Sequence, residues 1–187
     1  MPENLKPPVD PGRLDRLVMP FLFVFDVESI GLHGEGFAVG FVVIDRDGNR
    51  IESGLFSCER YNAKGNEDGA KWVKDNVPKL RVTHDSPWQV RAAFWKKWRE
   101  WKAKEAVLFA DCAWPVEARF LAACVDDHLR EREWEGPYPL HDIASVIMAR
   151  GRDPMAKRER LDDELPEHDP LADAMQSARL LFECLKA

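Results

Sequence analysis

Cysteine is scarce in this chain: there are four, Cys58, Cys112, Cys124 and Cys184, and no C-x-x-C pair. That excludes the clustered-thiol patterns of zinc ribbons and dithiol redox proteins, and suits reduced thiols in a cytoplasmic protein. Cys124 and His128 fall on one helix face at i, i+4, but two soft ligands alone read as packing, not zinc. Positive charge is also short. The net charge of −6 argues against bulk attraction to nucleic acid. It leaves room for a local basic patch, or for metal ions that bring positive charge to a site. No apolar run approaches the ~18 residues of a membrane span. Pro2, Glu3, Pro7, Pro8 and Pro11 interrupt the start, so neither a signal peptide nor a membrane partner is expected. Internal repeats and low-complexity segments are absent.

The 187 residues, 45% hydrophobic and 32% charged, suit one domain with a sizeable core. A Pro-rich, charged stretch over 1–18 reads as a flexible lead-in, and 19–187 as the domain proper. Residues 20–28 form a nearly continuous apolar strand of the doubly buried kind. A second strand follows over 37–45, a turn at Asp47-Gly48, and a third strand from Ile51 to Cys58. A polar loop over 59–69 precedes a short helix over 70–77. Ser86-Pro87 opens a long helix, with serine as N-cap and proline at the first helical position. Val90, Phe94, Trp98 and Trp101 recur on one face of it, with Trp95 at the edge. The stripe reads as a base-stacking platform, or as a core or dimer face; its regularity favours the latter pair and leaves a homodimer open. A buried strand over 106–112, a helix near Trp114-Pro115, a short strand over 138–143 with a helix after it, and a last helix from Asp169-Pro170 complete the order. This predicts an α/β fold: a mixed β-sheet with an antiparallel meander and flanking helices.

The chemistry concentrates in acids. Asp26 and Glu28 sit two apart at the end of the first strand, so they project from one face. Two like charges that close are costly unless a cation neutralises them. Hard divalent cations take carboxylate oxygens, and Mg²⁺ pairs one or two carboxylates with substrate phosphate. Far downstream, His168 precedes Asp173 in HDPLADA. At ~100° per residue, Asp173 falls opposite the Leu171, Ala178, Phe182 stripe, so simple amphipathicity would send it to solvent, but Leu180 falls close to the same side and leaves its placement open. Arg150, Arg152, Lys157, Arg158 and Arg160 cluster in the loop before His168. They read either as phosphate contacts or as a solvated loop balanced by Asp162, Asp163 and Glu164.

In these motifs the chain resembles the DEDDh 3′–5′ exonuclease family of the ribonuclease-H-like fold. That family includes ribonuclease T, oligoribonuclease and the proofreading subunit of the bacterial replicative polymerase. FDVESIGLHGEGFAVGFVVID is similar to the family's D-x-E-T-T-G-L with its following I-G-x-V-V-x-D strand. Asp26 and Glu28 match the acids, Ser29 and Ile30 stand where threonines are usual, and Gly31-Leu32 match again. His168 and Asp173 match H-x4-D, LADA resembles L-D-D-A, and PLHDIAS resembles the weaker late strand. The middle motif departs. Aligning VLFADCAWPVEARFL on its strand brings Asp111 near the family's histidine, whereas aligning on Phe120-Leu121 brings Glu117 to the family's aspartate. At a strand end Asp111 can reach a shared metal, and it is slightly favoured over Glu117, whose other reading is a helix-dipole acid.

The resemblance implies a 3′–5′ exonuclease that hydrolyses phosphodiester bonds of single-stranded RNA or DNA, with two Mg²⁺ or Mn²⁺ ions. Asp26, Glu28 and Asp173 would hold the metals and His168 would act as general base. Leu32 and His33 would lie near the terminal nucleotide, with Arg158 and Arg160 as further substrate contacts. The segment from Trp72-Val73 to Val77-Pro78-Lys79-Leu80 resembles a small bacterial branch acting on RNA, which tilts the expectation towards RNA. Two other readings stand: a catalytically silent exonuclease-like module that binds nucleic acid or protein, and a phosphohydrolase acting on nucleotides or small phosphoesters.

Overall fold

A computed structural model describes residues 19–186. The lead-in over 1–18 lies outside the described residues. Three strands, β1 (Phe21–Ser29), β2 (Gly36–Asp45) and β3 (Arg50–Ser57), form the antiparallel meander. Two helices follow, α1 (Glu67–Asn76) and α2 (Pro87–Lys102). Then come β4 (Val107–Ala110), α3 (Val116–Asp126), the short α4 (Leu129–Arg132), β5 (His141–Asp142), α5 (Ile143–Ala149) and α6 (Pro170–Lys186). The five strands make one mixed sheet in the order β3-β2-β1-β4-β5, with β4 parallel to both β1 and β5. The expected α/β class and meander are therefore present.

Strand parity divides the core. Phe23, Phe25 and Val27 point to one face and pack with Val90, Phe94, Trp95, Trp98 and Trp101 of α2 and Phe120 of α3. Leu22 and Val24 point to the other face, against Ile143 of α5 and Ala174, Ala178 and Leu181 of α6. Burying each such large side chain contributes roughly 1.5–3 kcal/mol. The tryptophan stripe of α2 is thus core and offers neither a stacking platform nor a dimer face. Trp101 also donates its indole N–H to Glu52 at 2.7 Å. At the Asp47-Gly48 turn, Asp45 Oδ1 accepts from the N–H groups of Asp47 and Asn49, both at 2.9 Å, and Gly48 takes φ +87°, open to glycine at little cost.

Several boundaries differ from expectation. α1 starts earlier than 70, because the Asn66 side chain caps it by accepting from Gly69 N–H at 2.7 Å. β4 ends at Ala110, short of the expected 112, because the chain turns before α3. α4 was not expected; its few residues carry too little periodicity to mark a helix. No helix among the described residues is long and apolar enough to cross a membrane.

One glycine sets the height of α6 over the sheet. Gly40 faces Asp26 across the β1–β2 ladder, and a Cβ there would lie 2.2 Å from the Pro170 carbonyl. The start of α6 can approach the carboxylates only because that methyl is missing. Gly40→Ala should cost about 1–3 kcal/mol by overpacking. A thermal melt would register the loss.

Candidate active site

The site lies at the carboxyl-terminal end of β1. Asp26 and Glu28 share the parity of Leu22 and Val24, so both face the α6 side. Glu28 is buried, at 7% exposure. Its carboxyl is pushed up to about 8, first by burial and then by the charges of Asp173, Glu117 and Asp169. Asp26 is raised well above the ordinary carboxylate range, again first by burial, then by Glu117, Asp173, Glu28 and Asp111. Four other acids therefore act on one carboxyl.

The loop before α6 and the first turn of α6 bring the remaining parts. The Asp169 side chain caps α6 by accepting from Leu171 N–H at 2.9 Å. His168, just before it, has a left-handed φ of +62°. Non-glycine residues rarely hold that conformation, though histidine does so more readily than most. There its backbone N–H donates to Asp173 Oδ2 at 3.1 Å, and its Nδ1 lies 3.7 Å from Glu28 Oε1. Glu28, His168 and Asp173 offer ligand atoms within 4.8 Å of one another. Asp26 stands outside that tight trio. Asp173 is half-buried and does not go to solvent. A second partner, the basic loop, covers the α6 face that simple periodicity assigns to water.

The middle acids separate. Asp111 follows β4 directly, and Phe25 pairs with Ala110, so Asp111 is level with Asp26 in sequence register. Its Oδ1, however, is held by Arg158 at 3.3 Å, and its charge acts least on Asp26 of the four. Glu117, in the first turn of α3, is buried at 6% exposure, and its Oε1 accepts from Val27 N–H at 3.4 Å. Burial raises its carboxyl to about 7 despite that hydrogen bond, and among the neighbouring charges it is the one acting most strongly on Asp26. The charge of Glu117 thus raises Asp26 more than that of Asp111 does, whereas the sequence slightly favoured Asp111.

The two arginines expected at substrate are instead on the acids. Arg160 Nη1 donates to Asp173 Oδ1 at 2.5 Å, and Arg158 pairs with Asp111. Asp173 thus has one oxygen on a guanidinium and the other on the His168 N–H; its carboxyl is nonetheless raised, burial outweighing both. The loop is pinned to α6 by buried Glu164, which receives Arg179 Nε at 2.6 Å and Nη2 at 2.8 Å. Leu32, 66% exposed, and His33, also exposed, stand on the β1–β2 turn as free surface. Trp72 of α1 packs edge-on to the His168 ring, centroids 4.9 Å apart, and is 46% exposed. Sequence reading tied Trp72 to an RNA-acting branch but not to His168; they are distant in sequence, so only the tertiary fold shows the contact. Cys124 is buried and free, and His128 is exposed beside Trp88, in keeping with packing.

Carboxylates whose protons are retained by burial and then by mutual repulsion, together with an imidazole, make a centre that can bind a hard cation or exchange a proton near neutrality. No protein-family model matches the chain, and no curated protein matches it.

Proposed function

We propose that this protein is a metal-dependent 3′–5′ exonuclease of the ribonuclease-H-like DEDDh type, acting on single-stranded RNA or DNA ends, with RNA favoured. The observation that carries the reading is the convergence of Glu28, Asp173, Glu117 and Asp111 on Asp26, with His168 beside Glu28. The strand order, with an antiparallel meander leading into parallel strands, supports the fold assignment.

The donor set fits Mg²⁺ or Mn²⁺: carboxylate oxygens dominate, and the raised carboxyls lack a neutralising charge. Arg160 on Asp173 already stands in as a cation. Asp26, Glu28 and Asp173 would hold the ions, with Glu117 completing the set. When bound, such ions supply a nucleophilic water near neutral pH and charge relief at the leaving oxygen. The residues of the chain do the rest. Glu28 lies beside the His168 ring, 3.7 Å from Nδ1, and Asp173 fixes the His168 backbone. That leaves Nε2 to take the proton of the attacking water. Trp72 holds the other side of the ring and offers a flat surface to a base. Arg160 must leave Asp173 Oδ1 for a cation to use that oxygen, and it then becomes available to phosphate.

The same arginine pairs favour one second reading, a catalytically silent module that binds nucleic acid or protein, with Asp111 and Asp173 held by Arg158 and Arg160. Paired variants decide between the readings and fix the middle acid. Glu117→Gln should lower single-strand hydrolysis at least ~10²-fold, on the scale of lost transition-state electrostatics. Asp111→Asn should cost less than ~10-fold, because Asp111 mainly anchors Arg158. The opposite order would return the middle motif to the strand end. Absence of hydrolysis and of divalent-cation binding in the wild type would select the silent module.

A further inference from the structure

We propose that a cavity across the Gly31–Phe37 turn from the carboxylates is a second subsite for the nucleic-acid strand. It would take a nucleotide upstream of the 3′ end, with Lys64 and Arg119 binding its phosphate. The inference rests on the exonuclease reading. It extends that reading to the substrate class: a strand longer than a dinucleotide.

The cavity holds about 420 Å³, within the range of small-molecule sites. His33 lines it from the β1–β2 turn, Lys64 from the loop before α1, Arg119 and Phe120 from α3, and Arg91 from α2. The elements that carry the acids also carry this cavity. Ser29 pairs with Gly36 at the end of the hairpin, one residue beyond Glu28. On α3, Glu117 reaches back to β1, while Arg119 and Phe120, within one turn, face the cavity. The carboxylates and the cavity thus flank the same hairpin end, the carboxylates on its α6 side and the cavity on its α2–α3 side, and the proposal has the strand cross that end.

Two of its basic side chains are free to meet an anion. Arg91 is spent: Nε and Nη2 donate to Asp127 at 2.7 and 2.9 Å, and Nη1 to Glu35 at 2.8 Å. Arg158 and Arg160 are spent on the site acids. Lys64 and Arg119 make no ion pair and no side-chain hydrogen bond among the described residues. Two unpaired cations on a concave wall are what a polyanion needs on a chain of net charge −6. The walls are built before the ligand arrives. Glu35 Oε2 accepts from Lys64 N–H at 3.1 Å, and Glu35 N–H donates to the Lys64 carbonyl at 2.7 Å. Its other oxygen holds the buried Arg91, so turn, loop and α2 are tied together and little ordering is left for binding. His33, free at the rim, can contact a base or sugar.

The test is fluorescence anisotropy of 5′-labelled single-stranded RNA of six and of two nucleotides, in Ca²⁺, against wild type and the double variant Lys64→Glu/Arg119→Glu. Hydrolysis of both lengths in Mg²⁺ is followed in parallel. Both side chains are exposed, so the fold should persist, and circular dichroism checks it. The variant should lose about tenfold or more in hexamer affinity. Its salt slope should fall by about 1.4, the value for two single-strand phosphate contacts. Dinucleotide affinity and turnover should stay within about twofold. Unchanged hexamer affinity and slope, in a wild type that binds and degrades the hexamer, would overturn this subsite alone. Equal losses on both lengths would also overturn it, since the cations would then act at the 3′ nucleotide. A wild type that neither binds nor degrades either length would remove the exonuclease reading, and this inference with it.

Discussion

Asp26→Ala is expected to take hydrolysis below detection while making the metal-free protein no less stable than wild type. Losing even an outer-shell partner of a metal ligand typically costs 10–100-fold. Asp26 is nearer the centre than that, because four other acids act on it at once. Its removal deletes one of the carboxylates that would hold the ions. The stability half follows from linkage. Glu28 and Glu117 have ordinary values of 4.5 but are raised to about 8 and about 7 in the fold, and Asp26 and Asp173 are raised as well. As pH rises from about 4.5 to about 8, the folded protein keeps protons that the unfolded chain has released, so stability falls across that window. Metal-free wild type should therefore melt several degrees lower at pH 8 than at pH 5. Mg²⁺ or Mn²⁺ should restore more at pH 8 than at pH 5, because more carboxylates are then ionised to bind it. Asp26→Ala should flatten the slope and abolish most of the metal effect. A variant that keeps hydrolysing, or that melts well below wild type without metal, would contradict this account of Asp26.

How much of this was legible before the fold was known depends on how local each signal is. Asp26 and Glu28 could be placed on one face because strand parity is strict and the apolar run fixes the strand. The middle acid was not legible. Its identity depends on where β4 stops and α3 starts, and the turn through Asp111, Trp114 and Pro115 carries no periodicity to count by. The geometry favours Glu117 because the first turn of α3 lies against the Val27 backbone, a contact between residues ninety apart in sequence. Asp173 defied its helical period for a related reason: periodicity allows for one buried face, and the loop through Arg160 and His168 supplies a second. The α2 stripe was readable as core or dimer face, and it is core; sequence could not choose between those two, since tryptophans packed on Phe23 and tryptophans awaiting a partner look alike.

His168→Ala should lower the hydrolysis rate by about 10²–10⁴, the usual worth of a general base. Divalent-cation affinity should fall far less, because the carboxylates stay. Structure adds a control that sequence could not. The His168 backbone N–H to Asp173 survives the substitution in principle, but φ +62° suits alanine less well than histidine. His168→Asn keeps a residue that tolerates this backbone while removing the base. It should be as inactive as His168→Ala yet melt closer to wild type. If asparagine restored activity, the histidine would be holding the loop, not moving a proton. Leu32→Ala and Trp72→Ala would then separate base stacking from ring support.

The most direct measurement is incubation of the full chain with 5′-labelled single-stranded RNA and DNA oligomers in Mg²⁺ or Mn²⁺, with a chelator control and a 3′-blocked strand alongside. The proposal predicts a descending ladder of 5′-labelled products, faster on RNA, abolished by chelation and severely slowed by the 3′ block. Cleavage of a circular single strand would make the protein an endonuclease. Intact oligomers in the presence of either metal would contradict the proposed chemistry altogether.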